Sequence, residues 1–169
     1  MKTIRITKLK PNPVGKDRSA VGPLNPSQLA AEWVDIYNFG TSTMNPLGVE
    51  LNNKAYSAAH PQGTWKSALN LPYLLLAPGQ TLRVHAGQDR GLGLIRAEDL
   101  FGAEHHAFTG RDQYVWNNKE GDTAGLWGLR QMNWIDTASY DPSPPEGVVL
   151  IRAGDKLLPT AQMGYRRCA

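Results

Sequence analysis

Histidines and carboxylates that could do chemistry gather in the middle of the chain. They are, in chain order, His85, Asp99, Glu104, His105, His106 and Asp112. Imidazole and carboxylate groups together can hold a transition metal or act as a general acid and base. Adjacent histidines such as His105 and His106, however, point in different directions from a strand or loop, and no third ligand follows at a metal-binding spacing. We therefore interpret them as solvated loop histidines and expect no metal site.

Motifs for nucleophilic or phosphate chemistry are absent from the sequence. It contains no Gly-x-Ser-x-Gly, no phosphate-binding glycine loop and no acidic pair beside a suitable His or Ser. The one cysteine, Cys168, has no partner for a disulfide or for a Cys-x-x-Cys metal site. We expect no catalytic residue and no cofactor, and interpret the protein as a non-enzyme.

Positive charge is concentrated at the start of the chain, although the net charge is only +3. The first 18 residues contain Lys2, Arg5, Lys8, Lys10, Lys16 and Arg18. One interpretation is an edge strand whose lysines prevent aggregation. The other is a basic strip for an anionic partner. In a nucleic-acid-binding protein the contacts would be Lys2, Lys8, Lys10, Arg166 and Arg167, although no recognition helix is visible.

Membrane and export signals are also missing from the sequence. No run approaches the ~18 apolar residues of a membrane span. The first hydrophobic residues alternate with Lys, Arg and Thr and so do not form the apolar core of a signal peptide. We expect synthesis in the cytoplasm without a membrane span, and leave release or export as part of an assembly open.

The elements that must position these groups are predicted to be short strands. In residues 31–40, Val34 and Ile36 alternate with charged residues, which is typical of a strand with one face on a core. Similar patterns predict strands at 3–9, 47–51, 81–86 and 132–140, and one in which Ala124 and Leu126 share a face. Short apolar or aromatic runs predict further strands at 114–116, 148–152 and 156–158. Pro78 and Gly79 fit the central positions of a type II turn.

The remaining segments are predicted to be connections. Residues 11–30 contain several prolines, and we interpret them as loop, including 26–30. Residues 52–68 are polar and carry Trp65. Residues 87–113 form an unusually long connection, with a short helix expected within 94–101.

Several motifs occur along the chain. A Glu-Trp-Val-acid-Ile-x-Asn motif occupies 32–38, and a Leu-x-Pro-Gly-x-x-Leu-x-Val motif occupies 76–84. A Trp-Asn-Asn-x-x-Gly-Asp-Thr-Ala-x-Leu motif follows at 116–126, and an Ile-Asp-x-x-x-Tyr motif at 135–140. Together these motifs resemble the lamin tail domain, an immunoglobulin-like sandwich, and most closely its small stand-alone bacterial members. The Leu-x-Gly-Trp motif of that family is weakened at 47–49, where the aromatic residue is missing.

The resemblance implies an all-β, immunoglobulin-like sandwich of about 7–9 strands over residues 1–140. The chain adds one long inserted loop to that pattern, and we expect residues 141–169, which are outside the pattern, to form a C-terminal β extension packed on the same domain or on a neighbouring subunit. We expect structural roles for the motif residues, which are Glu32, Trp33, Asn38, Trp116, Asn117, Gly121, Asp122 and Thr123. Some lamin tail domains associate with DNA, so the resemblance also permits nucleic-acid binding.

Our preferred function is a protein interaction or structural assembly unit, with a protein partner or a second copy of the chain as its ligand. The long loop carries more apolar residues than a solvated loop requires, and the strand at 148–151 could pair with a sheet edge of its own or of a neighbour. The predicted interaction residues are Leu94, Ile95, Leu100, Phe101, Val148 and Leu150. We expect deletion of 146–169 to leave the sandwich folded but to lower its oligomeric order.

Overall fold

Ten strands and two short helices make up the structure, a computed structural model that describes residues 3–16, 18 and 22–160. The strands are β1 Ile4–Lys10, β2 Trp33–Asn38, β3 Val49–Ser57, β4 His60–Asn70, β5 Thr81–His85, β6 His105–Phe108, β7 Asp122–Gly128, β8 Asn133–Tyr140, β9 Leu150–Ala153 and β10 Lys156–Pro159. The helices are α1 Pro26–Ala30 and α2 Ala97–Leu100, with a 3-10 turn at Leu92–Leu94. None of the helices in the described residues could span a membrane.

The chain is all-β, and its ten strands form one curled sheet instead of the predicted 7–9 strands. The strand order is β4-β3-β7-β8-β10-β9-β1-β2-β5-β6. Both halves of the sheet contribute to one apolar core. From β1, β2 and β5 come Ile6, Ile36 and Leu82, while Leu51 and Leu126 come from β3 and β7.

Alternation along β1 explains why it packs as it does. Ile4 and Ile6 are buried while Arg5 is exposed, as the sequence predicts. A bulge between Ile6 and Lys8 shifts the register, so Leu9 returns to the core and Lys10 is buried on the opposite face. Since β1 pairs with both β2 and β9, its prediction as an edge strand is wrong.

The predicted loop at 26–30 is instead α1. Asn25 caps this helix, because its side-chain oxygen accepts from the backbone N–H of Ser27 at 2.9 Å. Pro26 occupies the first turn, where its missing N–H costs no hydrogen bond. Leu29 and Ala30 are buried against the sheet, which explains why a five-residue helix persists here.

Two further local predictions are wrong. The polar connection at 52–68 is a hairpin of β3 and β4, in which Lys54 pairs with Trp65 and Ala55 with Thr64. Its polar sequence suits strands that lie at the sheet edge, since β4 is the last strand on that side. The strand predicted at 114–116 has no ladder partner, and Trp116 reaches the core from a loop.

The long connection between β5 and β7 is more structured than the sequence indicates. It contains the 3-10 turn, α2 and β6, which pairs parallel with β5. The predicted type II turn is confirmed, because Gly79 has φ +81° and the Gln80 N–H donates to the Ala77 carbonyl.

The C-terminal strands insert into the middle of the sheet. Strand β9 pairs antiparallel with β1, and β10 pairs parallel with β8. Leu150 and Leu157 are each 1% exposed and belong to the core. The tail therefore connects the two halves of the sheet within this chain.

Candidate functional site

Glu32 lies immediately before β2, and its carboxylate holds a distant loop. The buried Oε atoms accept from the backbone N–H groups of Val115 and Trp116 and from Lys16 Nζ, at 2.7, 3.2 and 2.5 Å. Burial raises the pKa of Glu32 to about 7, while Lys16 and the two N–H groups oppose that rise. This arrangement fixes the segment that places Trp116 in the core.

Asp122 begins β7 and organises a second set of backbone donors. Its carboxylate accepts from the N–H groups of Lys54, Thr123 and Asn117 at 2.8, 2.7 and 3.1 Å. The side-chain amide of Asn53 donates to the same carboxylate at 3.3 Å. Burial raises the pKa of Asp122, and these donors oppose the change. All of its contacts serve to join β3, β7 and the preceding loop.

Asn38 and Asn117 use their side chains in the same way. Asn38 donates to the carbonyls of Ser42 and Leu76 and accepts from the Gly40 N–H. The Asn117 side-chain oxygen accepts from the N–H groups of Lys119 and Glu120. These contacts shape turns.

A buried polar layer covers the outer face of β2 and β5. Asp99 Oδ1 accepts from Lys10 Nζ at 2.6 Å and from Trp33 Nε1 at 2.7 Å. Arg83 pairs with both carboxylate oxygens of Asp35, at 2.7 and 2.8 Å, and its guanidinium lies 3.6 Å from the Trp33 ring centroid. Burial raises the pKa of Asp35, and Arg83 opposes that rise. The layer neutralises its own charges without a ligand.

The histidines are not the solvated loop residues that the sequence analysis expects. His85 is 0% exposed, and His105 and His106 belong to β6. His85 Nδ1 donates to the Ala30 carbonyl at 2.6 Å, so its Nε2 accepts from His106 Nδ1 at 2.9 Å. Burial lowers the pKa of His85 to about 3 and also lowers that of His106. Within the described ranges, no three His, Cys, Asp or Glu side chains are placed to hold a metal ion.

The predicted interaction residues have different fates. Phe101 and Leu94 are 74% and 44% exposed, whereas Ile95 is buried and Leu100 is half-buried. The Arg83 guanidinium fixes the segment that carries Phe101, because it donates to the carbonyls of Asp99 and Phe101. In the tail, Val148 is half-buried and Leu150 is fully buried. Ile95 and Leu150 are therefore corrected to core positions, because the chain's own sheet covers them.

The predicted nucleic-acid contacts do not form one surface in the described residues. Lys10 is 6% exposed and paired with Asp99, and Lys8 is half-buried. The expected exposure of Lys10 is thus wrong, since the bulge in β1 turns it beneath α2. Lys2, Arg166 and Arg167 lie outside the described residues.

A large exposed apolar surface that the sequence analysis missed lies at one end of the sheet. We call it the apolar end surface, and it consists of Leu47, Tyr73, Leu75, Leu129 and Met132, exposed by 61%, 68%, 60%, 43% and 69%. Backbone contacts hold its loops together. Asn45 Oδ1 accepts from the N–H groups of Leu47 and Leu74, and the Leu129 N–H donates to the Gly48 carbonyl.

An open cleft of about 560 Å³ lies within this end. Ile4, Val49, Trp134 and Ile135 line it, and in the described part of the chain Arg130 is its one charged lining residue. Met132, in the adjoining turn, has φ +50°, which is uncommon for a residue other than glycine. In the sequence the available signal was the apolar pair Leu129 and Met132 in a turn.

A smaller cleft of about 320 Å³ lies at the other end of β3. Its walls are the β3–β4 hairpin and residues 111–117, and its lining includes Tyr56, Lys66, Arg111 and Tyr114. Because Val49 lines the larger cleft and Asn53 lines this one, strand β3 separates the two.

Neither a family model nor a curated protein matches this chain.

Proposed function

We propose that this chain is an immunoglobulin-like sandwich related to lamin tail domains, which works as a non-catalytic assembly unit. The resemblance in the sequence motifs supports the family, and the all-β sheet is compatible with it. The observation that carries the function is the apolar end surface, where five large apolar side chains are exposed together. Exposed apolar patches of this kind mark protein interaction sites.

The partner in this proposal is a second copy of the chain. Burying a side chain such as Leu47 or Met132 in a contact contributes about 1.5–3 kcal/mol. Backbone hydrogen bonds already hold the loops in place, so little conformational entropy is lost when the contact forms. Leu94 and Phe101, in the connection between β5 and β6, are two further exposed apolar side chains.

The test is the mass of the protein in solution by sedimentation or light scattering at rising concentration. The wild type is expected to associate, and the double variant Leu47→Asn with Met132→Asn to remain monomeric. Asn tolerates a positive φ, so the change at 132 relieves backbone strain. Phe101→Asn is the matched control, and it is expected to leave the mass unchanged.

Two outcomes would contradict this proposal. One is a wild-type protein that stays monomeric at every concentration. The other is association that survives the double variant but is lost with Phe101→Asn, which would move the contact to the loop segment.

A further inference from the structure

The smaller cleft differs from the rest of the surface in its charge. Among the described residues, its ionisable lining side chains apart from tyrosines are the three cations Lys54, Lys66 and Arg111, and none is a carboxylate. Lys54 Nζ is turned away, since it donates to the Gln62 carbonyl and lies 5.4 Å from the Trp65 ring centroid. Lys66 and Arg111 are exposed, and neither forms an ion pair within the part of the chain that the structure describes.

None of the described acids forms an ion pair with Lys66 or Arg111. Asp122 is buried and already receives its backbone and Asn53 donors. Asp112 lies 3.9 Å from Arg90. Glu120 is exposed. Desolvation raises the pKa of the Tyr56 phenol most, and the negative charges of Asp122 and Glu120 raise it further. A ligand with a negative group near Lys66 and Arg111 would therefore meet favourable charge.

An aromatic ring supplies the second part of the site. Tyr114, in residues 111–117, is the tyrosine on the wall opposite the β3–β4 hairpin. The Tyr56 ring packs over Gly63 beside Lys54, so it lies on the other side of the hairpin from Lys66. Lys16 Nζ lies 5.0 Å from the Tyr114 ring centroid, a cation–π contact that holds this ring. Planar ligands stack on aromatic rings held in this way.

We propose that this cleft binds a planar ring that carries a phosphate, the chemistry of a nucleoside monophosphate. Lys66 and Arg111 pair with the phosphate, and Tyr114 contacts the ring. A volume of about 320 Å³ accommodates one such unit. The site is distinct from the apolar end surface, so it stands or falls separately from the proposed assembly.

The experiment titrates the full chain with adenosine monophosphate, adenosine and inorganic phosphate, and follows backbone amide shifts by NMR. The monophosphate is expected to give saturable shifts at Gln113 and Tyr114, with adenosine and phosphate each binding at least about tenfold more weakly. A short single-stranded oligonucleotide is the arm that distinguishes a free ligand from a residue within a polymer. Tighter binding of the oligonucleotide, with a steep salt dependence, would assign the polymer as the source.

Charge-reversal variants test the residues. Lys66→Glu and Arg111→Glu are each expected to weaken monophosphate binding by about tenfold or more, because attraction becomes repulsion. Arg130→Glu changes the net charge equally at the other end of β3 and is expected to bind as the wild type does. Both reversed positions are exposed, so the fold is expected to persist, and the amide spectrum checks this.

The proposal is overturned if the monophosphate gives no saturable shifts in the millimolar range. It is equally overturned if the shifts map away from the cleft, or if Arg130→Glu weakens binding as much as Lys66→Glu does. The last result would indicate attraction by net charge alone.

Discussion

At the residue scale, buried carboxylates determine much of this structure. Glu32, Asp99 and Asp122 are each at most 2% exposed, and each collects donors from segments far away in sequence. A buried carboxylate is costly unless such donors surround it, so these residues select the loop conformations that supply them. Removal of the Glu32 or Asp122 carboxylate would leave two or three backbone N–H groups without that acceptor, and removal of the Asp99 carboxylate would do the same to the Lys10 and Trp33 side chains.

The first prediction concerns the pH dependence of stability through His85. Its pKa is about 3 in the folded chain, against 6.5 for the ordinary side chain, because burial disfavours the charged imidazole. The unfolded state therefore binds more protons between these values, and stability falls as the pH falls through that window. The expected slope approaches about 1.4 kcal/mol per pH unit well inside it. His85→Gln lacks this contribution.

The measurement is urea unfolding of the wild type and of His85→Gln between pH 7 and pH 4. Glu32 acts in the opposite direction, since its raised pKa of about 7, against 4.5, lets the folded state bind more protons between these two values. Both proteins retain Glu32, so the difference between their curves reports His85 together with its hydrogen-bonded neighbour His106. His60→Gln on exposed β4 is the control. Parallel curves for the wild type and His85→Gln would refute the prediction.

At the element scale, the turn before β7 packs so closely against the backbone after β8 that it has no room for a Cβ atom. Gly121 has φ +73°, and an added Cβ would lie 2.4 Å from the Tyr140 carbonyl oxygen. This approach lets β7 begin beside the end of β8, where Asp122 pairs with Tyr140. Gly154, between β9 and β10, has φ +66° but has nothing within 4 Å of such a Cβ.

The second prediction compares Gly121→Ala with Gly154→Ala. Both place alanine at a positive φ, which costs about 1–2 kcal/mol. Only Gly121→Ala adds a clash with backbone, so we expect a total loss of about 3 kcal/mol or more in the free energy of unfolding. Thermal and urea unfolding measure both variants. Equal losses would mean that the backbone at 121 moves freely and that the clash has no weight.

At the scale of the whole molecule, the C-terminal strands complete the sheet. Arg152 in β9 pairs with Asp136 in β8 at 3.0 and 3.1 Å and donates to the Ile6 carbonyl in β1. Asp136 in turn accepts from the Ile6 N–H at 2.8 Å. One ion pair thus joins three strands from distant parts of the sequence.

The third prediction is that removal of residues 146–169 prevents stable folding. This differs from the expectation in the sequence analysis, because the tail supplies Leu150 and Leu157 to the core and covers the gap between β1 and β8. Truncating one buried leucine alone costs about 2–5 kcal/mol, a large part of the stability of a domain. Circular dichroism and amide dispersion measure the outcome. A variant without 161–169 retains all the described strands and is the control, and a cooperatively folded 146–169 deletion would contradict the prediction.

The sequence by itself determined the local properties of this protein. Alternation identified β1, β2, β5, β7 and β8, because the period of a strand can be read from neighbouring residues. The Pro-Gly turn was equally readable, since its dihedral angles depend on those two residues alone. The burial of Trp33 and Trp116 follows from their size and apolar character.

Only the tertiary structure decided which polar residues are buried and which apolar residues are exposed. Lys10 is buried because the bulge in β1 turns its side chain inward. His85 is buried because α1 and β6, which contact it through Ala30 and His106, come from distant parts of the sequence. Leu150 is in the core because β9 pairs with both β1 and β10. No local sequence pattern encodes that pairing. The two clefts arise where separate loops meet. Their lining depends on long-range register, which composition and periodicity do not contain.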